Sequence, residues 1–198
     1  MGSAWFHPMT AQKREDGTYD PSPLTLLLGT SKTTNYAPLA LETKYNGTKP
    51  ILVLCTDDGR MKMANDKVFN TGNHPVEMLV PMLYFRDAGF EFEIATPSGK
   101  PVVLETWAYP TKDKNIQKLH ETIQQQLQKP KTTSEIAGLK DTYAAVFIPG
   151  GTYIFVNVLV FEIAHIFPIS PKQSSNHFAM TPYITRKNNR PRRHALPS

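Results

Sequence analysis

Three features of this chain have the residue types that chemistry needs: the carboxylate of Glu77, the glycine pair Gly150-Gly151 and the single thiol, Cys55. Glu77 closes the stretch GNHPVE (72–77), in which Pro75 suits the first position of a helix. The acid therefore falls in a helix's first turn, where the peptide dipoles favour negative charge, and that alone accounts for it. The same carboxylate is also able to move protons at a reacting centre. Gly150 and Gly151 end the run AAVFIPGG, in a turn that glycine makes freely and other residues do not. Cys55 ends the apolar run ILVLC (51–55) and reads as a small buried side chain. No Cys-His pair occurs anywhere in the 198 residues. His74 reads as a helix-entry residue, and His7, His165, His177 and His194 fall in no metal-ligand spacing.

The elements around these residues follow from periodicity. Residues 51–55 form a compact apolar run between Pro50 and Asp57-Asp58-Gly59, the pattern of a strand buried on both faces. Residues 75–88 are apolar almost all round and end at Gly89, which predicts a heavily buried helix. Residues 90–95 alternate Phe90, Phe92 and Ile94 with Glu91 and Glu93, a half-exposed strand. A possible short strand at 102–104 follows. Ile116, Leu119, Ile123 and Leu127 place an amphipathic helix over 113–128, stopped by Pro130. A short helix is expected around 134–139 and a third buried strand at 144–148. The order β-α-β-α-β argues a parallel, doubly wound α/β sheet, with ligands at the strands' carboxyl ends: 55–59, 96–99 and 149–151.

Composition divides the chain at Gly151. Residues 1–151 hold 16 Lys/Arg and 16 Asp/Glu, whereas 152–198 hold six Lys/Arg against the single acid Glu162, so the net +5 comes from the tail. The predicted organisation is an irregular N-terminal extension (1–49), an α/β domain (50–151), and an apolar then basic tail (152–198). Residues 153–169 are apolar, but Asn157, Glu162 and His165 interrupt them and Pro168 and Pro171 close them, which argues against a membrane span. Arg186, Lys187, Arg190, Arg192 and Arg193 invite a nucleic-acid reading. Without an aromatic stacking platform or a recognised fold motif, a solvated end is favoured. One cysteine and no secretory signal pattern point to a reducing, cytoplasmic setting.

The stretches VFNTGNHPVEMLVPML, AGFEFEIATPSGKP, LETWAYPTKD and AAVFIPGG together resemble the ThiJ/PfpI superfamily, in particular its bacterial heat-inducible chaperone branch, also described as glyoxalase III or protein deglycase. The resemblance covers roughly half the chain and stops at Gly151, so the chain reads as a family member truncated there, with a replaced or out-of-frame tail. It implies a flavodoxin-like fold, here incomplete and limited to the N-terminal half. It also implies a cysteine nucleophile on a strand-to-helix elbow, conversion of methylglyoxal to lactate, removal of glyoxal adducts from proteins and nucleic acids, and homodimers that hold unfolded clients. By this resemblance Glu77 matches the acid that shares a proton with the thiol, and Gly150 and Gly151 match the oxyanion-side turn. Cys55 does not map onto the nucleophile, which in the family follows a later strand, so the nucleophile is absent and the chain is expected to be inactive. The family's homodimer is not carried over to this chain. Of the branch's two-His, one-carboxylate metal site only Glu91 is retained. Arg86 and Ile123 stand where histidines are expected, and His120 lies near the third position; neither metal nor cofactor is expected. The expected alternatives are a non-catalytic chaperone-like fragment and, less favoured, a basic-tailed nucleic-acid-associated protein.

Overall fold

The computed structural model describes residues 8–151. In chain order the elements are β1 (Gln12–Lys13), β2 (Tyr19–Asp20), α1 (Pro23–Gly29), β3 (Ile51–Leu54), β4 (Arg60–Lys62), β5 (Val68–Asn70), α2 (Pro75–Asp87), β6 (Phe92–Thr96), α3 (Lys114–Gln128), β7 (Lys131–Thr132), α4 (Leu139–Thr142) and β8 (Ala145–Phe147). Single 3-10 turns at Thr106–Ala108 and Thr133–Glu135 complete the set.

The main sheet has the order β7-β6-β3-β8, and every pairing in it is parallel. Its register sets Val53 beside Ile94 on one side and beside Phe147 on the other. Ile51, Val53, Cys55, Phe92 and Ile94 pack with the buried residues of α2 and α3. Leu52, Leu54 and Ala95 share the opposite cluster with Tyr143, packed by Ile136, Leu139, Val146 and Ile148. The crossovers therefore use both faces, α2 and α3 on one and 133–142 on the other. From β3 the sheet grows outward through β6, then returns to add β8 on β3's other side. This is the doubly wound, flavodoxin-like arrangement, and it puts the topological switch point between β3 and β8.

Both long helices form where sequence physics places them. α2 starts with Pro75 at its first position and has His74 as N-cap. α3 starts at Asp113, whose carboxylate accepts from the amides of Asn115 (3.0 Å) and Ile116 (3.2 Å). β6 is more buried than its alternation suggests, because 92 and 94–96 are all buried and only Glu93 is partly exposed.

Part of the segment expected to be irregular is ordered. β2 pairs in parallel with β5, and β5 pairs with β4, so residues 12–20 and 60–70 build a second small sheet. Residues 31–45 then run along the ends of α2 and α3. Thr34 donates through its amide (3.0 Å) and hydroxyl (2.6 Å) to Asp113, and the Tyr36 hydroxyl donates to Asp87 at 2.7 Å. The Tyr45 amide donates to the Ala88 carbonyl at 2.8 Å. Residues 102–104, expected as a possible strand, contribute an isolated bridge from Leu104 to Asn73. The apolar run 153–169 and the basic tail lie outside the described residues.

Candidate functional site

The two motifs that stand out in the sequence meet at the switch point. The turn at 72–74 leads into α2 just beyond the carboxyl end of β3, and Pro149-Gly150-Gly151 leaves the carboxyl end of β8. The His74 amide donates to the Gly150 carbonyl at 3.0 Å. A methyl group on Gly150 would run into the Glu77 carboxylate, whose Cδ lies 2.8 Å from that position. Gly151, at φ +152, would turn a Cβ into the Gly72 carbonyl and bring it within 3.2 Å of the His74 nitrogen. Gly72, at φ +149, would drive its own into Val103, 2.6 Å from the carbonyl oxygen. At Gly72 and Gly151 glycine is required by the close approach of two backbones, whereas at Gly150 the obstacle is the exposed Glu77 side chain alone.

Glu77 is exposed and sits in the first turn of α2, at the positive end of the helix. Its amide donates to His74 Nδ1 at 3.4 Å, a long bond that secures the entry turn weakly. The His74 ring lies edge-on to Trp107 with centroids 6.2 Å apart, and the Trp107 indole donates to the Asn70 carbonyl at 3.1 Å. Pro81, four residues on, cannot donate to the Glu77 carbonyl, and α2 runs on through it to Asp87.

Asn73 positions this turn, and sequence reasoning missed it. It is fully buried; its Oδ1 accepts from the Thr56 amide (3.1 Å), and its Nδ2 donates to the carbonyls of Thr56 (2.9 Å) and Val103 (2.8 Å). Its backbone also accepts from the Glu105 amide at 3.0 Å. Beside it the Thr71 hydroxyl donates to the buried Glu105 carboxylate at 2.9 Å. The signal available in sequence was GNHP itself, an amide just before a helix start, but its partners come from 17 and 30 residues away.

Cys55 takes no part in this site. It is 0 % exposed, its side chain belongs to the core under α2, and burial pushes its thiol far above the ordinary range. A thiol held neutral and out of solvent is neither a nucleophile nor a metal ligand.

The residues at the family's metal positions do not fit a metal. Ile123 is core packing at 4 % exposure and has no ligating atom, and Arg86 lies in the last turn of α2. Glu91 is exposed, and its backbone carbonyl accepts from the Ile51 amide. His120 Nδ1 and the Tyr109 hydroxyl share a hydrogen bond of 2.9 Å. Burial lowers the His120 pKa against the opposing charge of Glu121. Among the described residues no three His, Cys, Asp or Glu side chains draw together to hold a metal, and no helix is long and apolar enough to cross a membrane. His7, His165, His177 and His194 lie outside the described residues.

No protein-family model matches the chain. It is 39% identical over 153 residues to the protein/nucleic acid deglycase HchA of Pseudomonas aeruginosa strain UCBPP-PA14, a match covering 75% of this chain and 53% of that protein. To the protein of the same name from Staphylococcus aureus strain JH9 it is 35% identical over 154 residues, with the same coverage of 75% and 53%. The chain thus spans about half the length of the curated relatives it matches. Among solved structures, the Rapid Encystment Protein 24 KDa of Francisella tularensis is similar at a TM-score of 0.46 and 14% identity, over 56% of this chain and 48% of that one. The fold assignment rests on the strand order and register described above.

Proposed function

We propose that this chain, a relative of the bacterial protein/nucleic acid deglycases in the ThiJ/PfpI superfamily, carries the acid and the glycine turn of that family's site without a working nucleophile among its 198 residues, and acts as a non-catalytic member. The observation that carries this reading is Cys55, the one cysteine, sealed in the core with its thiol protonated.

Thiol-dependent removal of a glyoxal adduct needs three things at one place. A thiolate adds to the carbonyl carbon, a neighbouring acid or base moves the protons, and backbone N–H groups hold the developing oxyanion. The contact between Glu77 and the Gly150-Gly151 turn supports reading Glu77 as the proton-moving group and the turn as the oxyanion side. With no thiolate to form the first bond, neither group has an intermediate to act on. Holding of unfolded proteins, an activity that needs apolar surface and no nucleophile, is the role we assign in its place. Leu27 and Leu28 on α1, 76% and 79% exposed, supply such surface.

The test is methylglyoxal consumption by the full purified chain and its Cys55→Ala variant, alongside suppression of aggregation of a heat-denatured client. We expect no consumption above buffer with either protein, and client protection with both. Consumption that disappears on Cys55→Ala would overturn the reading, because it would make the buried thiol the nucleophile.

A further inference from the structure

A cleft of ≈ 420 Å³ lies between residues 31–36 and one flank of α2, away from the Glu77–Gly150 contact. Val76, Val80 and Tyr84 recur every four residues, so they make one stripe along the helix and form the apolar floor. Ser31, Thr33, Thr34 and Asn35 form a hydroxyl and amide rim. Tyr36 completes the lining, its ring tilted on Tyr84 with centroids 5.1 Å apart. None of these eight side chains carries a charge.

The chain that carries the rim is anchored at Lys32, Thr34 and Tyr36 in advance of any ligand. Asp113 holds Thr34 by two hydrogen bonds, Asp87 holds the Tyr36 hydroxyl, and the Lys112 amide donates to the Lys32 carbonyl at 2.8 Å. The Thr33 hydroxyl and the Asn35 amide, both exposed, make no hydrogen bond to another group among the described residues. Two free polar groups thus stand over an apolar, partly aromatic floor in a cleft of the size small ligands occupy.

We propose that this cleft binds a neutral polyhydroxylated ring, a monosaccharide unit. Such a ring has a C–H face to lay on Val76, Val80 and Tyr84, and hydroxyls at its edge for Thr33 and Asn35. A charged ligand would bring its charge against lining side chains that carry none. A wholly apolar ligand would desolvate the rim without replacing its hydrogen bonds. The same chemistry is offered by a free sugar and by a sugar joined to a protein through a neutral glycosidic bond. The inference concerns binding alone and stands whether or not the chain is catalytic.

Saturation-transfer NMR on the full chain tests it, with D-glucose, D-glucuronate and a tripeptide bearing an O-glucosyl-serine as probes. Expected are transfer to the glucose ring C–H protons with a dissociation constant on the order of 1 mM, and binding of glucuronate about tenfold weaker. Val80→Trp, which fills the cleft, and Asn35→Ala, which removes rim donors at an exposed position, should each weaken glucose about fivefold or more. Tighter binding of the tripeptide than of glucose would support an attached sugar as the occupant, and weaker binding a free one. The proposal is overturned if glucose receives no saturation, if glucuronate binds as well as glucose, or if both variants bind glucose like the parent protein.

Discussion

At the scale of single residues, the glycine turn beside Glu77 makes a quantitative demand on Gly151. An added Cβ at Gly150 meets only the exposed Glu77 side chain, which can turn aside at little cost, whereas one at Gly151 meets the backbone carbonyl of Gly72 at a positive φ, and overpacking of that kind costs about 1–3 kcal/mol. Gly151→Ala should therefore lower the melting temperature clearly, whereas Gly150→Ala and Glu77→Ala should change it little. Equal losses at 150 and 151 in thermal unfolding would mean that the carboxylate is fixed over the turn. Cys55 gives a second prediction at this scale. With 0 % exposure and a thiol held protonated by burial, it should react with a maleimide only as fast as the sheet opens, and in denaturant at the rate of a free cysteine. Rapid labelling of the native chain would contradict the core placement on which the proposed loss of catalysis depends. The site's residues differ in how plainly they were written in the sequence. Glu77, Gly150 and Gly151 announce themselves by type and local context. Asn73 does not, because an amide is informative only once the carbonyls of Thr56 and Val103 are brought to it by the fold.

Segments 31–45 depend on two carboxylates that are not part of the candidate site, and this gives the elements a pH dependence. Burial would raise the Asp113 pKa, but hydrogen bonds from Thr34, Ile116 and Asn115 outweigh it and hold the carboxyl below its usual range. At Asp87 burial is likewise outweighed, by the Leu39 amide, the Tyr36 hydroxyl and the charges of Arg86 and Lys44. A carboxyl whose pKa is lower folded than unfolded stabilises the fold above its unfolded value, about 3.9, and that contribution is lost as pH falls through the folded value. The amides of Thr34 and Leu39 should accordingly lose hydrogen-exchange protection as pH drops below about 4, while β3 and β6 keep theirs. Asp113→Asn and Asp87→Asn should show that loosening already at neutral pH. Equal loss of protection in residues 31–45 and in the sheet would show instead that acid unfolds the domain as a whole. Elements were legible in proportion to how far their own residues decide them. β3, α2, α3 and β8 carry apolar runs or helical periodicity strong enough to be read singly. The β4–β5 hairpin was missed because RMKMANDKVFN is largely polar. Its register is set by the Asn65-Asp66 turn, with Asp66 at φ +60, and by the pairing of Tyr19 with Phe69.

At the scale of the molecule, the two faces of the sheet are unequally covered by the described residues. The face under α2 and α3 buries thirteen side chains in one cluster, whereas the opposite cluster buries four, Leu52, Leu54, Ala95 and Tyr143. The layer on that second face is made of a 3-10 turn and the four-residue α4, and β8 is three residues long. Among the described residues β8 pairs on one side only, with β3. It is tied further by Tyr143, whose hydroxyl donates to Glu93, while Lys131 pairs with Glu93 at 2.6 Å. Few buried apolar contacts and short elements mark the low-stability end of a fold, so 139–147 should open sub-globally before β3 and β6 do. Because the His74 amide is bonded to Gly150, just beyond β8, its exchange should follow β8 and not the interior of α2, although His74 is the N-cap of α2. Native-state hydrogen exchange in low denaturant checks this directly, and a common opening free energy for His74, the α2 interior and β3 would refute it. The consequence reaches the site, since every such opening lifts the glycine turn away from Glu77. The two halves of the candidate site therefore belong to parts of the fold with different stabilities, and how often they stand together is governed by how well the thinner face of the sheet is covered.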